Sequence, residues 1–319
     1  MEVLKFILRK LGYGLPLLFG VSLISFLLMV YFAPDQTFSL LGKNPSQEDI
    51  DNIRKQLGYD LPVWQRYGTF LKEIFTFNFG SSSLSHEKIT SIFSRTIPIS
   101  ILVALPGFII GNSLGIACAM WAAFYRGQWQ DKIIMIFSAM GMSISLLIVI
   151  IAFQLIFCSS YGLNLFPVHG WSANSFFDYL KHVSVPTMAT TFVALGYNTR
   201  FYRAVIVEEM EKEHVRTARS FGCHPFNLAF KHILKNSLIP ILTRIIFTIP
   251  YVLVGGSLLI ESYFSIPGIG SVTYEAITSG DLPVLKAVIS VTTFLYILVL
   301  IATDIVYCLI DPRISLQAK

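Results

Sequence analysis

An all-α membrane protein, with about six transmembrane helices and a helical extracytoplasmic insertion after the first, is what three features of this sequence predict. Over 319 residues the mean hydropathy is +0.64 and only 13% of residues are charged, a balance outside the soluble globular range. Apolar runs of the roughly 20 residues needed to cross about 30 Å of hydrocarbon recur along the whole chain. The short connections between them alternate between Lys/Arg-rich and Lys/Arg-poor, the asymmetry that sets membrane orientation.

The expected spans are 15–32, 99–125, 133–157, 185–203, 238–260 and 285–309. Lys5, Arg9 and Lys10 before the first span also have the form of a secretory signal, but the length of the run and the five spans that follow favour an anchor. Arg126 and Lys132, then Lys212, Arg216, Arg219, Lys231 and Lys235, then Arg313 and Lys319 mark one side of the membrane. The 158–184 connection carries only Lys181 and the 262–284 connection carries no Lys or Arg. Both termini are therefore expected in the cytoplasm. The chain divides into an N-terminus with the first span (1–33), an extracytoplasmic region (34–98), a membrane core (99–310) containing a cytoplasmic loop (204–240), and a cytoplasmic tail (311–319).

The insertion carries its own helix signals. Ser46 with Asp49 three residues on forms a capping box, Ile50, Ile53 and Leu57 follow at helical spacing, and Gly58 suits a left-handed stop. Pro62 can open a second helix with Trp64, Tyr67, Leu71 and Ile74 on one face. That face either packs on the tops of the spans or meets a solute. The four cysteines (118, 158, 223 and 308) show neither disulfide nor metal spacing, and the six histidines all lie outside the expected spans. A haem or metal redox subunit, which needs axial ligands at membrane depth, is disfavoured. No cofactor and no nucleic acid is expected on this chain.

Within the spans, Gly107, Gly111 and Gly115 recur every four residues and leave one helix face bare for close packing. Pro106, Pro250 and Gly255-Gly256 allow bends that serve a gate or merely kink a rigid bundle. Arg244 and Asp304 lie at membrane depth, where each charge costs about 2.5–3.5 kcal/mol on the insertion scale; they either pair or snorkel separately to the headgroups. Asn112, Gln154, Asn198, Thr248 and Thr292 either line a path or join helices by hydrogen bonds.

The densest block of charge is 208–240. Glu208, Glu209, Glu211 and Glu213 precede Arg216 and Arg219, an order that complements a helix dipole. Gly222 supplies a stop, Pro225 a new start, and Pro240 the opening of the fifth span. The layout is helix, sharp turn, helix, either projecting as a compact element or lying on the lipid surface.

Here the residues become recognisable. Arg216-Thr217-Ala218-Arg219-Ser220-Phe221-Gly222, followed by Lys231 to Pro240, resembles the coupling-loop motif of ABC importer permeases in its oligopeptide/dipeptide version. The general motif begins Glu-Ala-Ala, places Gly four residues after the second Ala and ends in Leu-Pro. This chain has Arg216 and Thr217 in the first two places, keeps Ala218 and Gly222, and ends in Leu234-Lys235, whereas Ser220-Phe221 stands where that branch has Ala-Lys. The resemblance extends along the chain through Leu57-Gly58-Tyr59-Asp60-Leu61-Pro62, Asn78-Phe79-Gly80-Ser81-Ser82, Arg95-Thr96-Ile97-Pro98, Glu261 and Phe264 with Pro267-Gly268-Ile269-Gly270, and Asp304 and Tyr307 with Asp311-Pro312-Arg313.

The resemblance implies a type I ABC importer-like permease fold in a bacterial inner membrane. Its implied partners are a second, similar permease, two cytoplasmic ATPases that carry ATP and Mg, and an extracytoplasmic solute-binding protein. Arg216, Thr217, Ala218, Arg219, Gly222 and Leu234 would couple to the ATPase, while Arg244, Glu261, Pro267, Gly268, Gly270 and Asp304 become structural or gating candidates. The sequence itself has no Gly-x-x-x-x-Gly-Lys-Ser/Thr loop, so ATP would be hydrolysed by a partner. The same family includes permeases for nickel, glutathione and peptide antibiotics. A secondary transporter would show an internal repeat or discontinuous helices, and a membrane enzyme a catalytic constellation at membrane depth; neither signal stands out.

Overall fold

The computed structural model describes residues 18–31, 46–56 and 60–310, with Pro16 and Thr37 as isolated positions. In chain order the helices are α1 (Leu18–Tyr31), α2 (Gln47–Gln56), α3 (Val63–Thr76), α4 (Ile89–Phe124), α5 (Trp129–Ser143), α6 (Leu146–Phe157), α7 (Phe176–Met210), α8 (Glu213–Ser220), α9 (Pro225–Phe264), α10 (Ile269–Ser279) and α11 (Leu282–Ile310). A single bridge between Ser81 and Lys88 is the only strand-like pairing among the described residues. The protein is all-α. By length and composition α4, α9 and α11 can each cross a membrane, and α5 with α6 make a fourth crossing if that bent pair is one span. α1 is a shorter apolar helix, and α7 carries the expected 185–203 span inside 35 residues.

Two expectations about these helices need correction. The 133–157 span is not one helix: α5 and α6 meet at 102°. Ile144 and Ser145 take extended backbone, with ψ of 130° and 139°, and hydropathy, which counts only side-chain transfer energy, is blind to such a break. Nor does Pro240 open a new helix, because α9 runs unbroken from Pro225 to Phe264. Two π-helical stretches, Leu228–Leu234 and Tyr251–Gly256, are wound into it. A proline cannot donate to the carbonyl four residues back, and π winding is one way a membrane helix re-satisfies the carbonyls this frees. The second stretch begins directly after Pro250.

Contacts divide the chain into two compact units. One holds the described residues up to Pro98 together with Ser271–Ile301. In it the Ser46 hydroxyl accepts the Asp49 amide at 3.2 Å and donates to the Asp49 carboxylate at 2.6 Å, starting α2 as the sequence predicts. Ile53, Leu57 and Gly58 lie outside the described side chains. α3 packs on α1: Phe26 meets Tyr67 and Phe70 at 5.3 and 5.5 Å between centroids, and the Tyr67 hydroxyl lies 3.0 Å from that of Ser22. The buried stripe of α3 runs through Phe70 and Ile74, while Trp64 is 78% exposed. Its register is therefore Val63, Tyr67, Phe70 and Ile74, one residue off the Trp64 start that the sequence predicts. This face packs on α1. Buried Asp281 accepts the Ser82 hydroxyl at 2.6 Å and the Val284 amide at 3.4 Å, tying the 78–82 turn to the start of α11.

The second unit holds Ile99–Gly270 and the described residues from Ala302. The glycine seam decides its arrangement. A methyl at Gly107 would collide with the Thr190 hydroxyl, one at Gly111 would stand 2.9 Å from Ala194 Cβ, and one at Gly115 2.9 Å from Asn198 Cβ. Because both series climb by four residues, α4 and α7 run in the same direction with backbones in close approach. α5 crosses α7 at a second bare point, where Gly141 and Gly196 face each other and a Cβ on Gly196 would stand 2.8 Å from the Ser138 carbonyl. One hydrophobic cluster gathers Val103, Ile150, Val185, Ile260 and Ile266, and another gathers Ala119, Tyr202, Ile206, Val215, Ile233 and Ile241.

Candidate functional site

Beside the α4–α7 seam lies a cavity of about 630 Å³. α4 contributes Ala104 and Phe108, α7 contributes Val193 and Tyr197, α9 contributes Thr248 and Val252, and the α5–α6 break contributes Ser143, Ile144 and Ser145. The break and the cavity explain each other, since extended backbone at membrane depth persists only where protein or a cavity receives it. Of the predicted path-lining residues, Asn112, Asn198 and Thr248 are in the wall. Gln154 is not there; its amide donates to the Val168 carbonyl at 2.8 Å. Thr292 belongs to the other unit, with its hydroxyl bonded back to Val288 at 2.7 Å.

Polar groups in the wall are largely satisfied by the protein. Asn112 Oδ1 accepts from Asn198 Nδ2 at 3.1 Å and from the Tyr202 hydroxyl at 2.5 Å. Thr248 bonds back to the Arg244 carbonyl at 2.7 Å, and Ser257 to Leu253 at 2.9 Å. Arg244 is the only charged side chain among the described residues lining the cavity. Its guanidinium carbon lies 4.4 Å from the Phe201 ring centroid. The Asp304 side chain, its expected partner, lies outside the described residues, as do those of Tyr307 and of 311–313.

The 208–240 segment forms a second constellation. α7 ends at Met210, α8 runs from Glu213 to Ser220, and Gly222 turns the chain with φ of +74°. The Cys223 amide reaches back to the Ala218 carbonyl at 3.2 Å, which locks the turn. His224 then caps the new helix by accepting the Phe226 amide at 3.3 Å, with Pro225 in its first turn. Val215, Leu228, Ala229 and Ile233 form the inner face, and Ala218 and Leu234 pack against it. Arg216, Thr217 and Arg219 are largely exposed, and so are Phe221, Phe226 and Phe230. The turn thus presents an aromatic and basic outer face over a packed inner one.

Ion pairs surround this element. Glu209, buried, pairs with Lys212 at 2.6 Å, and His214 Nε2 lies 3.2 Å from its other oxygen. Glu211 takes Arg126 at 2.5 Å, and this hydrogen bond and charge hold its carboxyl below the usual carboxylate value. Arg203 grips Asp131 through both oxygens. The Arg126–Glu211 and Arg203–Asp131 pairs are not visible in the sequence, because partners 85 and 72 residues apart share no local pattern.

A third cluster surrounds Glu261, which is fully buried. Its Oε2 accepts the Gly270 amide at 2.7 Å, and Ser100 Oγ accepts the Ile269 amide at 2.7 Å. A methyl at Gly268 would strike both acceptors, and one at Gly270 would stand 2.6 Å from the Leu258 amide. The structure therefore brings Glu261, Gly268 and Gly270 together as one turn, with Ser100 as a member the sequence did not signal.

A family model for the binding-protein-dependent transport system inner membrane component matches residues 111–316, the part holding most of the cavity lining and the 208–240 element. The chain belongs to that family. A companion model for the N-terminal part of such membrane components matches residues 3–101. Over 315 residues the chain is 31% identical to a dipeptide transport system permease protein of Lactococcus lactis subsp. cremoris, covering 98% of this chain and all of the relative. A protein of Brucella abortus provisionally named a peptide transport system permease is 30% identical over 312 residues, 97% of this chain and 98% of its own. A di/tripeptide transport system permease protein of Pseudomonas aeruginosa is 29% identical over 343 aligned positions, 99% of this chain and all of its own. The match to a transport permease, together with the apolar helices, makes this a multi-pass membrane component of a transport system.

Proposed function

We propose that the chain is one membrane subunit of an ATP-driven importer for di- or oligopeptides, forming half of the translocation path. The observation that carries this reading is the cavity of about 630 Å³, most of whose wall falls in the family-matched residues 111–316. Its size suits a small solute, and its satisfied, mostly neutral wall suits one whose side chains vary. Relatives named for peptide, dipeptide and di/tripeptide transport support the same substrate class.

The division of labour follows. A second, similar permease completes the path, and a solute-binding protein delivers peptide on the side of the 34–98 region. Two ATPases bind ATP and Mg on the cytoplasmic side, and the Lys/Arg distribution supports both termini and the 204–240 loop on that side. Residues 1–33 carry the first span, 99–310 the permease core and 311–319 the tail. Arg216, Thr217, Ala218, Arg219, Gly222 and Leu234 form the coupling element. Their packed inner face supports rigid-body motion, so that closing of the ATPase pair biases a two-state equilibrium of the spans. Pro267, Gly268, Gly270, Glu261, Arg244 and Asp304 hold or gate the core.

The deciding experiment is uptake of labelled di- and oligopeptides by proteoliposomes holding the complete complex, with and without ATP. Import that needs both ATP and the binding protein is the expected result. Solute movement by this chain alone without nucleotide would sink the importer reading, and an active complex that imports no peptide would sink the substrate class.

A further inference from the structure

A charge at membrane depth is expensive and marks a site when no permanent counter-charge accounts for it. Among the described residues, Arg244 meets that description. It lines the cavity, and no carboxylate among the described residues forms an ion pair with it. Its visible partner is the Phe201 ring at 4.4 Å. An aromatic ring attracts a cation through its quadrupole but carries no net charge, so among the described residues nothing neutralises the Arg244 charge at the cavity wall.

The rest of the wall sharpens the point. Asn112 accepts from Asn198 beside it and from Tyr202 behind the wall, and Thr248 and Ser257 are bonded to their own helix. These groups do not select among solutes by charge. A cavity that passes peptides of varied sequence can recognise only what all peptides share: the backbone amides, the terminal amine and the terminal carboxylate. Of these the carboxylate is the one a guanidinium matches, through two parallel charge-assisted hydrogen bonds.

We infer that Arg244 binds the C-terminal carboxylate of the peptide in transit. This rests on the peptide reading of the cavity. Phe201 holds the guanidinium in place, and binding the carboxylate neutralises the charge during passage.

The test compares a dipeptide with its C-terminal amide in proteoliposomes holding the complete complex at saturating binding protein. Expected is a loss of roughly tenfold or more in uptake of the free-acid peptide by Arg244→Gln, with little change for the amide, so that the acid-to-amide ratio collapses. Arg244→Lys, which keeps the charge but not the fork, should retain part of the ratio. An unchanged ratio in Arg244→Gln overturns the inference while leaving the importer reading intact. Rescue of free-acid uptake by adding Asp304→Asn to Arg244→Gln also overturns it, since Arg244 would then be a charge partner of Asp304. Should Arg244→Gln fail to assemble, alkylation of a Thr248→Cys complex with Arg244 intact decides: the free acid should slow it and the amide should not, and equal protection overturns the assignment. A wild-type complex that hydrolyses ATP but imports neither compound removes the peptide reading and this inference together.

Discussion

Arg203 and Asp131 form a bidentate ion pair, Nε to Oδ1 and Nη2 to Oδ2 each at 2.6 Å, that fastens α7 to the first turn of α5. The Gly127 amide adds a third bond to the same carboxylate at 2.9 Å. Breaking a fully buried pair by removing one partner costs about 3–5 kcal/mol. Here the Arg203 side chain keeps 20% of its exposure, so Asp131→Asn should cost less, about 2–3 kcal/mol. Arg203→Lys, which cannot reproduce the fork, should lose part of that. Combining Asp131→Asn with Arg203→Gln should cost less than the two separately; additive shifts in thermal unfolding of the purified protein would show that the pair is not coupled.

Surroundings, not residue type, should decide what glycine substitutions do. Gly111→Val places a branched side chain where even a Cβ stands 2.9 Å from Ala194, and forcing α4 from α7 should cost about 1–3 kcal/mol or more. Gly68 sits in exposed α3 with nothing within 4 Å. Gly68→Ala should stabilise by about 0.5–1 kcal/mol, because alanine loses less backbone entropy on entering a helix. The comparison is read from unfolding midpoints, and equal destabilisation by both would count against the seam.

These glycines also show which features were legible. The spacing of 107, 111 and 115 encodes one helix face whatever that face meets, and the Ser46–Asp49 box encodes a helix start within four residues. Both signals are local. The identity of the facing residues, Thr190, Ala194 and Asn198, is set by tertiary packing and left no trace. The α5–α6 break was hidden for a different reason: 133–157 is apolar enough on average to read as one span, and Ser143 to Ser145 bend where a cavity receives their backbone. Pro240 misled in the opposite sense, since it carries a helix-start signal and yet the helix from Pro225 runs through it. Arg244 was legible as a costly charge, but not its aromatic support from Phe201.

Gly222 tests backbone strain apart from crowding. Its φ is +74°, yet a methyl there would touch nothing within 4 Å. Gly222→Ala should therefore cost about 1 kcal/mol through conformation alone. Asparagine tolerates the left-handed region better than alanine, and valine far worse. Recovery of partner ATPase with the purified permease should rank Gly, Asn, Ala, Val in falling order. A ranking by size, with Asn below Ala, would point to steric conflict at the docking face instead.

Glu211 and Arg126 supply a pH-dependent contact. Arg126 lowers the Glu211 carboxyl pKa from its ordinary value, so the contribution is present above that ordinary value and is lost as pH falls through the lowered one. Both side chains are exposed, so the effect is small and screened by salt. Arg126→Gln should shift the unfolding midpoint slightly near neutral pH and low salt, and not at all in acid. A shift that survives full protonation of Glu211 would mean Arg126 acts through packing.

Ser100 and Glu261 accept the first two amides of α10, those of Ile269 and Gly270, each at 2.7 Å. Helix-start amides have no partner within their own helix, and a carboxylate there also meets the positive end of the dipole. Glu261→Gln keeps the shape and loses the charge, which should cost about 1.5–3 kcal/mol. Glu261→Ala adds a void in a fully buried site and should cost more. Ser100→Ala removes a single neutral acceptor, for about 1–3 kcal/mol. Gly268→Ala should match or exceed Glu261→Ala, because its methyl strikes both acceptors at once and displaces them together. Thermal unfolding of the four variants orders them. If Gly268→Ala proved milder than Ser100→Ala, the turn would have room to shift, and the glycine would not be required by the close approach of Glu261.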